Sequence, residues 1–365
     1  MGAPTLQDTP PGGVAALPPE TPPQDTPLTS PEDAARGLPG LGRPRDWLIG
    51  GTLLAALVAA VHFTVGWGPL LAPWLAFPPL LIVWLVLLTA ASYALRAVRV
   101  YDYFSPRFAG HFIHVLRLSV LHNTANNLLP MRTGEMVFPW LMRRYFGHGF
   151  LDAAASLMWI RVLDLHFLGL VGIFILYLRQ ASWVWWAAGI LWVAGLSLLA
   201  LIGRAGASPR LAGTGRVRKV LRLLAGAVPR DPWLIARVYF WTMATWTLKF
   251  IAFAVVLRHF VPADFWRVMA GVMGAELSSV LPLHGIAGSG SYELAAVAAL
   301  VPLGVDAKLA LAGAVNLHLF LLGTTLLLGG LALLLPKPRV PSENGHPVGL
   351  QSDPGAVGGR GSQSG

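Results

Sequence analysis

The 365-residue sequence contains no cysteine. That excludes disulfides, thiolate nucleophiles and cysteine-based metal sites. Charge is scarce too: Asp, Glu, Lys and Arg together make up 12% of the chain, about half the share in a soluble domain. Neither a phosphate-cradling Walker A run nor an HExxH pair is present. The run from Gly288 to Tyr292 does not complete a nucleophile elbow, and short alternating strands of barrel type are missing. No cofactor or metal is therefore expected, and nothing marks the chain as an enzyme of a familiar class.

What remains is apolar. Hydrophobic residues account for 55% of the chain, and the formal charge is +10. The positive residues fall in short segments between long apolar runs, which reports orientation in a bilayer rather than affinity for nucleic acid. Residues 1–45 and 336–365 are rich in Pro, Gly and polar residues. They have too little apolar surface to offset their ordering entropy and are expected to be disordered tails. A polytopic domain at 46–335 lies between them. No apolar run precedes residue 47, so the start is not expected to act as a cleavable leader.

A helix needs about 20 apolar residues to cross hydrocarbon. Six segments qualify, near 47–67, 72–95, 151–178, 183–203, 235–258 and 309–335. The stretch 204–230 carries Arg204, Arg210, Arg216, Arg218, Lys219, Arg222 and Arg230 with no acid, which places it in the cytoplasm. Arg43 and Arg45 before the first span, Arg96 and Arg99 after the second, and Lys337 and Arg339 after the last agree. The chain is thus expected in the cell membrane with both termini cytoplasmic.

Two segments do not fit as simple spans. Residues 107–148 break at 126–135, and residues 264–303 break at 281–293. Each reads as a re-entrant helical hairpin, one entering from each side. Broken backbone at membrane depth is tolerated only where it faces protein or water. The breaks resemble each other: Leu129, Pro130, Gly134 and Glu135 in one, Leu281, Pro282, Gly290 and Glu293 in the other. The expected fold is all-α and membrane-integral, with about six transmembrane helices, two re-entrant hairpins and an inverted repeat. Gly/Pro-interrupted segments at corresponding places in two halves point to a site near the midplane.

Ionisable residues inside spans are costly and tend to be functional. Arg161 and Asp164 share a helix face three residues apart. Two roles suit the pair, holding helices together or lining a pathway. Lys249 needs a partner, and Glu135, Glu276, Glu293 or an anionic headgroup would serve. Glu135 and Glu293 follow their breaks and suit either helix capping or a cavity. Ser289 and Ser291 sit where a half-helix N-terminus would offer donors to an anion, with Arg132 as countercharge. Asn126 and Asn127 would be unfavourable towards lipid and are expected to face inward, as is Asn123. Asn316 and His318 are weaker candidates, and His166 reads as a packing residue.

Asn126, Pro130, Arg132, Gly134 and Glu135, then Arg161 and Asp164, then Pro282, Gly288, Gly290 and Glu293 resemble the motifs of a known family. It is the flippase-like family named for the transmembrane region of lysylphosphatidylglycerol synthase. The resemblance spans about 46–335 and concerns the membrane part; no counterpart of the soluble synthase domain of some members is expected. It implies a protein that moves an anionic, aminoacylated or otherwise polar lipid through a midplane crevice. Asn126, Asn127, Arg132, Glu135, Arg161, Asp164, Lys249, Ser289, Ser291 and Glu293 would contact the substrate, and lipid-synthesis enzymes would be partners. An intramembrane transferase or hydrolase acting on a lipid-linked substrate is the alternative, with Glu135 and His284 as its acid–base pair.

Overall fold

The computed structural model describes residues 44–105, 108–198, 201, 223–229, 231–279 and 285–337. The expected tails, most of 204–230, and His284 lie outside the described residues. Every regular element described is helical, as an apolar solvent requires of a backbone that must satisfy its own hydrogen bonds.

The chain opens with α1 (Pro44–Ala60), extended by a π-helical turn at Val61–Val65. A short helix, Trp67–Leu71, and a 3-10 turn lead to α2 (Pro79–Tyr103). Next come α3 (Phe112–Leu128), a 3-10 segment at Pro130–Met136, and α4 (Val137–Phe146), which stops at left-handed Gly147. Then α5 (Phe150–Arg179) and α6 (Trp183–Ala194) follow. The second part holds α7 (Pro232–Phe260), α8 (Phe265–Ser278), a 3-10 turn at Ile286–Gly288, α9 (Ser291–Leu300) and α10 (Ala307–Leu334). Proline opens α2 and α7, where its missing N–H costs nothing. The Asp231 carboxylate accepts from Trp233 N at the start of α7, and the Asp306 carboxylate accepts from Leu309 N at the start of α10.

Six stretches are long and apolar enough to span a membrane: Pro44–Val65, Pro79–Tyr103, Phe150–Arg179, Pro232–Phe260, Ile286–Leu303 and Ala307–Leu334. Two expectations are corrected. The 183–203 segment is helical from Trp183 to Leu198 with a turn at Gly195, and that described part falls short of a full span. Conversely, Ile286–Leu303 reaches span length as three short helical pieces, interrupted by non-helical backbone at Ala287. A third difference has functional weight. Helix α2 runs past the apolar limit at residue 95 to Tyr103, which carries Arg96 and Arg99 into the interior.

Helix α7 is the centre of the bundle. Over half of its apolar window (56%) is buried, against 11% for the window starting at Pro44. Phe250, Phe253, Val256 and Leu257 of α7 pack into one core with residues of α5, α8 and α10. Helices α2 and α7 run antiparallel. Their contacts step from Phe77 with Phe260, through Arg96 with Trp246 and Arg99 with Thr242, to Asp102 with Arg237. Helix α3 lies against α2 and α10, and α8 lies against α7 and α5. Trp183, Trp186, Leu191 and Phe63 stay exposed. So large an apolar surface suits hydrocarbon rather than water.

The two breaks touch each other, and both rest on α1. A Cβ on Gly50 of α1 would come within 2.8 Å of the Ile286 backbone and 3.4 Å of Pro130. A Cβ on Gly134 would lie 2.4 Å from the Asn126 backbone, so only glycine lets the 3-10 segment close on α3.

Candidate functional site

Between these elements lies a cavity of about 390 Å³. Its polar lining comes from α2 (Arg96), α3 (Asn123, Asn126, Asn127), the first break (Glu135), α5 (Arg161, Asp164), α7 (Lys249), α8 (Glu276) and α10 (His318). Isolated charges in such surroundings cost about 3 kcal/mol each or more, and the arrangement of partners follows from that.

Asp164 is the hub. Its Oδ1 accepts from Arg99 Nη1 at 2.5 Å and from Trp246 Nε1 at 2.9 Å, and its Oδ2 accepts from Arg161 Nη1 at 3.2 Å. Arg161 reaches on with Nη2 to Glu135 Oε1 at 2.8 Å. Arg99 also donates to Thr242 at 3.0 Å. The chain Arg99–Asp164–Arg161–Glu135 thus links α2, α5 and the first break. His122, behind Glu135, has its Nδ1 3.2 Å from the Gly134 carbonyl.

The second cluster centres on Glu276. Lys249 Nζ donates to Oε2 at 2.5 Å, and the Tyr292 hydroxyl donates to Oε1 at 3.3 Å. Glu293 Oε1 meets His318 Nδ1 at 2.5 Å, while its Oε2 accepts from Gly290 N at 2.8 Å. His318 stacks on Tyr292, with ring centroids 4.5 Å apart. Trp246 joins the clusters: the Arg96 guanidinium and the Lys249 ammonium lie 5.3 and 5.2 Å from its ring, close enough for cation–π attraction.

Of the residues singled out in the sequence, Asn126, Asn127, Glu135, Arg161, Asp164 and Lys249 line this one cavity. Asn127 donates to the Tyr93 hydroxyl and to Thr325. Glu293 is buried and reaches the cavity through His318. Ser289 is buried beside the break, and Ser291 donates to the Gly288 carbonyl; neither lines the cavity. Arg132 belongs to the 3-10 segment, and its side chain is outside the described set. Asn316 instead ties α10 to the Leu70 carbonyl and to Trp74. His166 bridges the Tyr239 hydroxyl and the Trp192 carbonyl.

Sequence reasoning missed Arg96, Arg99, Trp246 and Tyr292 as interior groups. One signal exposes the first and third. Thr89, Ser92, Tyr93, Leu95 and Arg96 are matched, at one constant offset, by Thr242, Thr245, Trp246, Leu248 and Lys249. The same offset carries Pro79 to Pro232, Phe112 to Phe265 and Asn123 to Glu276. The contacts follow it: Arg96 donates to Asn123 and Lys249 donates to Glu276, each pair 27 residues apart. Further on, Glu135 meets Arg161 after 26 residues and Glu293 meets His318 after 25.

A helical bundle with an apolar outer belt and charged side chains gathered inside it defines an integral membrane protein built around a polar interior. The family described as the lysylphosphatidylglycerol synthase TM region matches residues 47–329, and the chain belongs to that family. No curated protein and no solved structure matches it.

Proposed function

We propose that the protein is a lipid translocator, in which a polar or anionic headgroup passes through the charged cavity while the acyl chains stay in the bilayer. The observation that carries this reading is the cavity itself, whose acidic and basic groups from five helices and a break converge inside a lipid-facing bundle. A purely structural ion-pair network needs no such open volume. A second, apolar groove of about 780 Å³ between α5, α6, α7 and α8, lined by residues such as Phe174, Trp186 and Ile251, offers room for chains.

In this reading the α3–α4 and α8–α9 segments are re-entrant hairpins of an inverted repeat. The constant offset supports it, and so does an exchange of partners: α3 packs on α10 of the other half, and α8 packs on α5. Rocking one half against the other would expose the cavity to each side in turn. The host is the cell membrane, with both termini in the cytoplasm. The arrangement of Glu135 and Arg161 would orient the headgroup.

The test is movement of fluorescently labelled phosphatidylglycerol between leaflets of proteoliposomes. Wild-type protein is expected to speed it, and Glu135→Gln/Arg161→Gln is expected to reduce the rate at least about tenfold, as expected for loss of charge-assisted contacts. Equal rates for the two proteins would overturn the proposal.

A further inference from the structure

The two halves match in position but not in charge. In the second half, Lys249 is neutralised by Glu276 at 2.5 Å. In the first half, Asn123 occupies the position of that carboxylate, and its amide oxygen meets Arg96 Nη1 at 3.3 Å. Arg96 is over nine-tenths buried, lines the cavity, and makes no ion pair among the described residues. Its Nε has no hydrogen-bond partner there, and neither does Asn126 Oδ1 on the adjacent turn. Asp164 acts on it electrostatically but from beyond ion-pair distance, its oxygens taking Arg99, Arg161 and Trp246. A buried guanidinium whose direct contacts are a neutral amide and an aromatic face lacks the directly paired anion that such a group ordinarily requires.

We propose that Arg96 is the anion-binding residue of the cavity, and that Asn123, standing where the other half has Glu276, keeps it available for the phosphodiester of a membrane lipid. The inference rests on the lipid reading above and names the atom group that reading leaves open. A guanidinium suits a phosphodiester because its planar fork can place two N–H donors on two phosphate oxygens. Installing a carboxylate at residue 123 would recreate the Lys249–Glu276 arrangement inside the first half and fill the site from within.

The experiment measures phosphatidylglycerol retained by full-length protein after detergent exchange, by native mass spectrometry and by titration with the short-chain lipid. Asn123→Glu is expected to weaken retention roughly tenfold or more, the effect of one charge-assisted contact, whereas Gly51→Ala, on an open face of α1 outside the cavity, stays within about twofold of wild type. If Asn123→Glu does not fold, Arg96→Gln takes its place, with the same loss expected. Retention at the wild-type level in a folded Asn123→Glu or Arg96→Gln protein overturns the proposal. Inorganic phosphate at millimolar concentration separates the sources of anion: failure to displace the lipid supports a headgroup site, and full displacement overturns it in favour of a free anion. Binding through Arg96 without movement between leaflets would defeat the translocation reading and leave this assignment standing. Movement that survives Asn123→Glu would do the reverse.

Discussion

At the scale of residues, buried charge is tolerated here through pairing, and the pairs are unequal in kind. Removing one partner of a buried pair costs about 3–5 kcal/mol, because the other is left without compensation. Glu276→Gln is therefore expected to destabilise the protein by about 3 kcal/mol, read as a lowered midpoint of thermal unfolding in detergent. Glu276→Gln/Lys249→Gln should recover much of that loss. If the double variant is no more stable than the single one, the pair is not the source of the cost. Lys249 and the Arg161–Asp164 pair were legible from sequence alone, because charge deep in an apolar run stands out. Arg96 and Arg99 were less so. Lying just past the apolar run, they resemble the flanking cations that report orientation; the offset to Lys249 marks Arg96, and only the burial of α2 against α7 shows that Arg99 points inward.

At the scale of elements, apolar length located the long helices, and the breaks were marked by their proline and glycine. Length alone misjudged two stretches. The described part of the tryptophan-rich segment, Trp183–Leu198 with a turn at Gly195, is short of a span, and Ile286–Leu303 accumulates span length from pieces. Periodicity does not reveal how a 3-10 segment beds against a helix, and that contact is where glycine matters. Gly134→Ala would push a methyl into the Asn126 backbone. Overpacking of this kind costs roughly 1–3 kcal/mol. The expected outcome is a lowered unfolding midpoint together with weaker lipid retention, since Asn126 and Glu135 would shift. Gly51→Ala, on an open face of α1, serves as the control and should be neutral or slightly stabilising. Equal midpoints for the two variants would remove the packing argument.

At the scale of the whole molecule, the lack of cysteine makes topology directly measurable. Single cysteines at Arg45 and Lys337 are expected to react with an impermeant maleimide only from the cytoplasmic side. A cysteine at Ala181, in the turn between α5 and α6, should react only from the outside. Labelling of residues 45 and 337 from opposite sides would contradict the proposed orientation. The pairing of helices across halves was only partly legible in the sequence. The two breaks share Leu, Pro, Gly and Glu, but the register linking α2 to α7 lies in similar rather than identical residues, such as Tyr93 with Trp246. Side-chain pairs make it visible: Arg96 with Asn123, and Lys249 with Glu276.

That mismatch bears on energetics as well as binding. In a molecule made of two equivalent inverted units, swapping their conformations would yield two resting forms of equal free energy, and neither leaflet would be favoured. Here Arg96 meets a neutral amide where Lys249 meets a carboxylate. Under the proposed inverted repeat this difference lifts the degeneracy, and the empty protein is expected to prefer one facing before any lipid or gradient acts on it.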